Sequence, residues 1–123
     1  MTAPNLIAVT TINGKTTGVS LTTTATTVVL NNALASGKCL KINTLNVANV
    51  SSTSTNITIS WYNATNLGGT GFAIAGNISV PAGSTLNIVD KSSQYYLEEN
   101  TSLGAAASIA STLVVTVSYE DIS

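Results

Sequence analysis

Apolar residues along this chain recur at every second position, in short runs separated by clusters of Gly, Asn, Ser, Thr and Pro. The cleanest run is Asn56 to Asn63, where Ile57, Ile59 and Trp61 alternate with Thr58, Ser60 and Tyr62. A period of two sends alternate side chains to opposite faces of a strand, so the first set is assigned to the core. Leu113, Val115, Val117 and Tyr119 make a strong closing strand on the same pattern. Between Cys39 and Val50 the parity changes, with Leu40 and Ile42 on one face and Leu45 and Val47 on the other. A parity change inside one strand needs an extra residue, which predicts a bulge near Asn43 and Thr44.

The remaining runs read in the same way. Leu6 to Ile12 is rich in β-branched residues and stops at Asn13-Gly14, a dipeptide suited to a type I′ turn, so a hairpin with Thr16 to Leu21 is predicted. Ala25 to Leu30 is a further strand, entered through the Thr-rich patch before it. Leu67 to Gly71 is glycine-rich enough to predict a flexible turn. Phe72, Ile74, Ile78 and Val80 share one parity, and Pro81-Ala82-Gly83-Ser84 reads as a turn with Pro81 at its second position. Leu86 and Ile88 begin the return, followed by Tyr95 to Leu97, a polar corner from Glu98 to Thr101, and a small-residue strand from Leu103 to Ile109. No segment carries a period of 3.6 residues. The expectation is an all-β fold with little helix, an antiparallel β-sandwich or jelly roll of roughly eight to ten short strands. Residues 1–123 form one domain, with residues 1–5 as an extended arm.

Composition narrows the function. Charged residues make up 7% of the chain, against about 25% in ordinary domains, and Thr, Ser and Asn take their place. Lys and Glu keep monomers soluble and are depleted where partners cover a surface, so this deficit and the net charge of −1 point to a subunit of an assembly. Four basic residues, all lysine, leave little for counterion release from nucleic acid, so no nucleic-acid partner is expected. No window approaches the ~18 apolar residues of a membrane span, and the amino terminus has no signal-peptide pattern. Synthesis in a cytoplasm without secretion follows, and the Asn-x-Ser/Thr triplets are then chance occurrences.

Reactive chemistry has few places to reside. There is no His to shuttle protons, and single Cys39 reads as a buried structural thiol because nothing would activate it. Glu98 and Glu99 are adjacent, so in extended chain they face opposite ways and cannot flank one substrate bond, even with Asp90 nearby. Glu98, Glu99, Glu120 and Asp121 lack the spacing of a calcium loop. Gly68-Gly69-Thr70-Gly71 lacks the Lys of a phosphate loop. No catalytic residue, metal ligand or cofactor is expected, and the chain is not read as an enzyme. Tyr62, Tyr95, Tyr96 and Tyr119 are candidate interface residues, because a phenol combines a large apolar face with a polar tip. Thr2, Ala3, Pro4 and Asn5 join them as an arm reaching a neighbouring subunit. Trp61 and the tyrosines could instead serve as sugar-stacking platforms in a carbohydrate-binding module, against which stands the core parity of Trp61.

Three carboxyl-terminal segments carry a resemblance: Val80 to Leu86, Tyr95 to Leu103, and Ser118 to Ser123. There the chain resembles small virion structural proteins of tailed bacteriophages, notably those infecting marine cyanobacteria. The likeness extends loosely back through Leu40 to Val50, while the segment up to Asn32 is outside it. The resemblance implies a β-sandwich virion component. Within that class the expectation is a capsid decoration or cement protein on the outer head surface. It would bind the major capsid protein or other virion proteins and close as a homo-oligomer, with a trimer favoured. A tail, neck or fibre subunit is the alternative.

Overall fold

The computed structural model describes residues 10–90 and 92–123. The strands are β1 (Ile12–Ser20), β2 (Thr27–Asn32), β3 (Cys39–Asn49), β4 (Thr55–Tyr62), β5 (Gly71–Val80), β6 (Thr85–Val89), β7 (Tyr95–Leu97), β8 (Thr101–Ala107) and β9 (Leu113–Ile122). One 3-10 turn, Thr65–Leu67, is the helical element among the described residues. One sheet runs β1-β9-β3-β6 with β7 also on β3, and the other runs β2-β8-β4-β5.

The pairings are nested. β9 occupies one side of β3 along its length, so β6 and β7 share the other side, β7 at Leu40 to Ile42 and β6 at Leu45 to Ala48. Counted as one interrupted strand, they complete a series in which β1 pairs β9, β2 pairs β8, β3 pairs β6/β7, and β4 pairs β5, all antiparallel. A long nested hairpin rolled until β3 meets β9 and β4 meets β8 is a jelly roll, one of the two architectures expected. Its core lies between the sheets and includes Leu45, Val47, Ile57, Ile59, Leu103, Val115 and Val117, all fully buried or nearly so.

The bulge expected near Asn43 is present, since the β3–β9 register shifts between Ile42 and Thr44. The Asn13-Gly14 hairpin is not. Both residues lie inside β1, opposite Asp121 and Glu120, and neither has a positive φ. Local turn preference yields there to a continuous ladder with β9, because each pairing in the ladder satisfies backbone groups that a turn would leave to solvent. The expected strand segment Leu6 to Val9 and the arm Thr2 to Asn5 lie outside the described residues.

β5 departs from the expected parity. Its register against β4 shifts twice, between Ile57 and Ile59 and again between Ile59 and Ser60, and Asn77 takes φ 54°. Each extra residue flips the side chains that follow, so Ala75 takes the core place opposite Ile59 that parity assigned to Ile74, and Ile78 and Val80 regain the parity of Phe72. Phe72 and Ile78, opposite Trp61 and Ile57 but on an edge strand, stay 52% and 41% exposed. The turn after β5 is real, but Pro81 holds its first position: the Ser84 amide donates to the Pro81 carbonyl at 3.1 Å, and Gly83 supplies the φ of 70° at the third. The 67–71 turn is anchored rather than loose. The Gly68 amide donates to the Thr65 carbonyl and the Thr70 amide to Asn63 Oδ1 at 2.8 Å.

Candidate functional site

Nesting sends alternate connections to opposite ends of the roll. One end gathers the β1–β2, β3–β4, β5–β6 and β8–β9 loops, tied by backbone bonds from Leu21 to Leu113, Ser111 to Leu21, Val50 to Thr112 and Asn49 to Ser84. Asn49 staples it. Its buried amide donates to the Thr53 and Val80 carbonyls at 2.8 and 2.9 Å, and its Oδ1 accepts from the Ser51 amide and hydroxyl. These four loops, residues 21–26, 50–54, 81–84 and 108–112, contain no ionisable side chain. Val50 and Ile109 stand out from them, 67% and 42% exposed, beside exposed Pro81, Ala82 and Ala110.

The opposite end holds most of the charge. The Asn100 amide donates to the Ala33 carbonyl, the Gly37 amide to Glu99 Oε2 and the Thr65 amide to Asn100 Oδ1, joining the β2–β3, β4–β5 and β7–β8 loops. Asn32 is the staple here, its amide donating to the Lys38 and Leu97 carbonyls, both at 2.9 Å. Lys15 and Lys38 converge on buried Asp121 at 2.9 and 3.3 Å, and Lys41 meets Glu120 at 3.7 Å. Burial works against the Asp121 anion, but hydrogen bonds from Lys15 and Lys38 outweigh it and hold the carboxyl below its ordinary value. Lys15 is raised in turn, through its hydrogen bond to Asp121. Three lysines and two carboxylates therefore pair at one end, which also carries Glu98 and Glu99, and the loops of the other end are neutral.

The two flanks, where the edges of the sheets face each other, each carry a groove. Between β5 and β7 an open groove of about 350 Å³ is lined by Trp61, Phe72, Ala73, Ile74, Tyr95 and Tyr96. Trp61 and Phe72 are cross-strand partners with ring centroids 5.8 Å apart and planes tilted by 33°. Trp61 does keep the core parity and packs partly against the core, while it also lines the groove. Between β1 and β2 a more polar cleft of about 310 Å³ includes Tyr119, Lys15, Lys38 and Asp121.

The four tyrosines are thus not one surface. Tyr95 and Tyr96 share the aromatic groove, Tyr119 lies on the other flank, and Tyr62 packs within its own domain against Gly71 and Gly104. Sequence reasoning missed Phe72 as a groove residue, because its parity matches the core and only the place of β5 at the sheet edge leaves it exposed. Cys39 is buried, and burial, with a smaller push from Glu98, raises its thiol above the ordinary value. Among the described residues no three His, Cys, Asp or Glu side chains gather as a metal site, and no helix is long and apolar enough to cross a membrane.

Against solved structures, the chain matches one from a crystal structure of the T13 particle of IBDV, an icosahedral virus, with a TM-score of 0.50 and 12% identity. What they share is a fold. The match covers 94% of this chain but 32% of that one, so this chain spans about a third of its neighbour's length. A second structure, of the Gx strain of infectious bursal disease virus, matches at a TM-score of 0.29 and 12% identity, over 89% of this chain and 40% of that one. No family model and no curated protein matches the sequence. The chain has, then, a β fold of a kind found in a viral particle.

Proposed function

We propose that this chain is a structural subunit of a viral particle, acting as a decoration protein that binds the outer surface of a bacteriophage head and bridges its capsid subunits. The observation that carries the proposal is the neutral end of the roll, with Val50 and Ile109 exposed on it. Copies arranged about a symmetry axis bring the same groups together repeatedly, so any charge there would meet its own kind. An end without ionisable groups meets itself, or a capsid surface, without that repulsion. The fold, of a kind found in a viral particle, supports the same reading, as does the resemblance of the carboxyl-terminal segments to phage virion proteins. A homotrimer seated by its neutral end on the major capsid protein satisfies these features, and the binding energy would come from many weak contacts repeated by symmetry.

Counting copies in purified particles by quantitative mass spectrometry, with cross-linking to the most abundant virion protein, tests this. The expected result is a copy number comparable with the capsid subunits and a cross-link from a photoreactive residue placed at position 50 or 109. A handful of copies per particle would assign the chain to the neck or tail, and its absence from particles would end the proposal.

A further inference from the structure

We propose that the groove between β5 and β7 is a binding site for neutral carbohydrate, in which the flat face of a sugar ring stacks on Trp61, Phe72 and Tyr95, with Tyr96 at the rim. This is a second activity on a different surface from the neutral end, and it does not rest on the particle role. Four aromatic residues line it, and three are well exposed, Phe72 at 52%, Tyr95 at 41% and Tyr96 at 45%. Singly exposed apolar residues need no explanation, but a continuous aromatic groove does. At about 350 Å³ it lies within the size range of small-ligand sites, and like them it combines apolar walls with a few polar tips, here the phenol hydroxyls.

Charge and backbone select the occupant. Among the described residues no carboxylate or ammonium lines the groove, so none of them offers an ionic or phosphorylated ligand a partner. An extended peptide would bind by adding a strand to a sheet edge, which requires a regular row of free backbone groups. β5 is bulged twice against its partner and β7 is three residues long, so neither edge offers such a row. Recognition is left to the ring faces. A pyranose presents the complement: an uncharged ring with an apolar face and hydroxyls around its rim. The Trp61–Phe72 pair would form one platform, with Tyr95, opposite core-facing Ile42, facing it from the other sheet and Tyr96 at the rim.

Trp61 is the single tryptophan of the chain, so its emission reports on this groove alone. Full-length protein is titrated with maltohexaose, cellohexaose and mannohexaose while that emission is followed. At least one should produce a saturable change. Phe72→Ala and Tyr95→Ala should each weaken binding about tenfold or more, a factor equivalent to ~1.4 kcal/mol. Tyr119→Phe, on the opposite flank, should leave it unchanged. Both alanine variants replace well-exposed side chains, and a thermal melt of each verifies that it folds. No saturable change with any of the three sugars would overturn the proposal, as would a change undiminished in both alanine variants. Protection of Trp61 from acrylamide quenching in the intact particle would also overturn it, by showing that protein fills the groove.

Discussion

Placing one carboxylate on the neutral end tests whether that end is a contact surface. In Val50→Glu or Ile109→Glu the new side chain starts from a position 67% or 42% exposed, so the isolated subunit should lose no more than about 0.5 kcal/mol of stability. If the end is covered in the particle, the same carboxylate becomes a buried charge without a partner, because the four loops around it contain no lysine. Leaving a charge buried and unpaired at an interface costs about 2–5 kcal/mol, which weakens binding roughly 30-fold to several thousand-fold. Repetition about a symmetry axis adds repulsion between copies. The control is Leu34→Glu, an equally drastic change at a position 70% exposed in the β2–β3 loop of the charged end. The assay adds purified protein back to particles that lack it and measures bound copies against concentration. Wild type and Leu34→Glu should saturate the particles at similar concentrations, with Val50→Glu and Ile109→Glu far behind. If Val50→Glu and Ile109→Glu fill particles as readily as wild type while Leu34→Glu does not, the contact lies at the charged end and the reasoning from charge placement is wrong.

Two further predictions concern the scaffold. A Cβ added at Gly104 would sit 2.7 Å from Leu67 Cδ2, 2.9 Å from Thr26 Cγ2 and 3.2 Å from Tyr62 Cε1, so Gly104→Ala should destabilise by about 1–3 kcal/mol. For a chain of 123 residues that lowers Tm by about 4–12 °C in calorimetry, and Leu67→Ala in the same chain should recover part of the loss, whereas an unchanged Tm would show that the 3-10 turn is not seated on β8. Asp121 is held below its ordinary value in the folded state, so the folded protein binds fewer protons than the unfolded chain. Its contribution is therefore present above the unfolded carboxyl range, near pH 4, and is lost as pH falls through the folded value. Asp90, lowered by hydrogen bonds from Ser92, acts in the same direction. Tm should fall on acidification from pH 6 to pH 2, and Asp121→Asn should be less stable near neutrality by on the order of 1 kcal/mol, since both lysines are half exposed, with a shallower acid loss. A steeper acid loss in Asp121→Asn would contradict the assignment.

What the sequence disclosed and what it withheld separate along one physical line. The bulge at Asn43 was legible because Ile42 and Leu45 both face the core, and two core residues three positions apart cannot share a face without an insertion. The alternation in β4 was legible for the same reason. Asn13-Gly14 misled because its fate is decided by β9, more than a hundred residues away, which pairs with both residues. β5 misled because its bulges depend on its partner: the Asn77 amide donates to Thr58 Oγ1 at 3.1 Å, a bond that no pattern within β5 announces. Trp61 was assigned the correct face, but whether that face is covered depends on where the opposite sheet ends.

The neutral end shows how topology turns a sequence pattern into a surface. Read linearly, the loops at 21–26, 50–54, 81–84 and 108–112 are four unremarkable stretches made mostly of Thr, Ser and Ala, with Leu21, Val50, Pro81 and Ile109 among them. Lys38, Glu98 and Glu99 fall in the connections between them, and Lys15, Lys41, Glu120 and Asp121 in the strand halves that run toward those connections. Nested pairing sends alternate connections to opposite ends, so charges that alternate with neutral loops along the chain become separated in space. The β6–β7 link, which carries Asp90, interrupts one strand of the roll and belongs to neither end. Core packing does not require this segregation, because all four neutral loops are exposed enough to carry lysine or glutamate at little cost to the fold. The contact with another protein surface proposed above would impose such a segregation from outside the subunit.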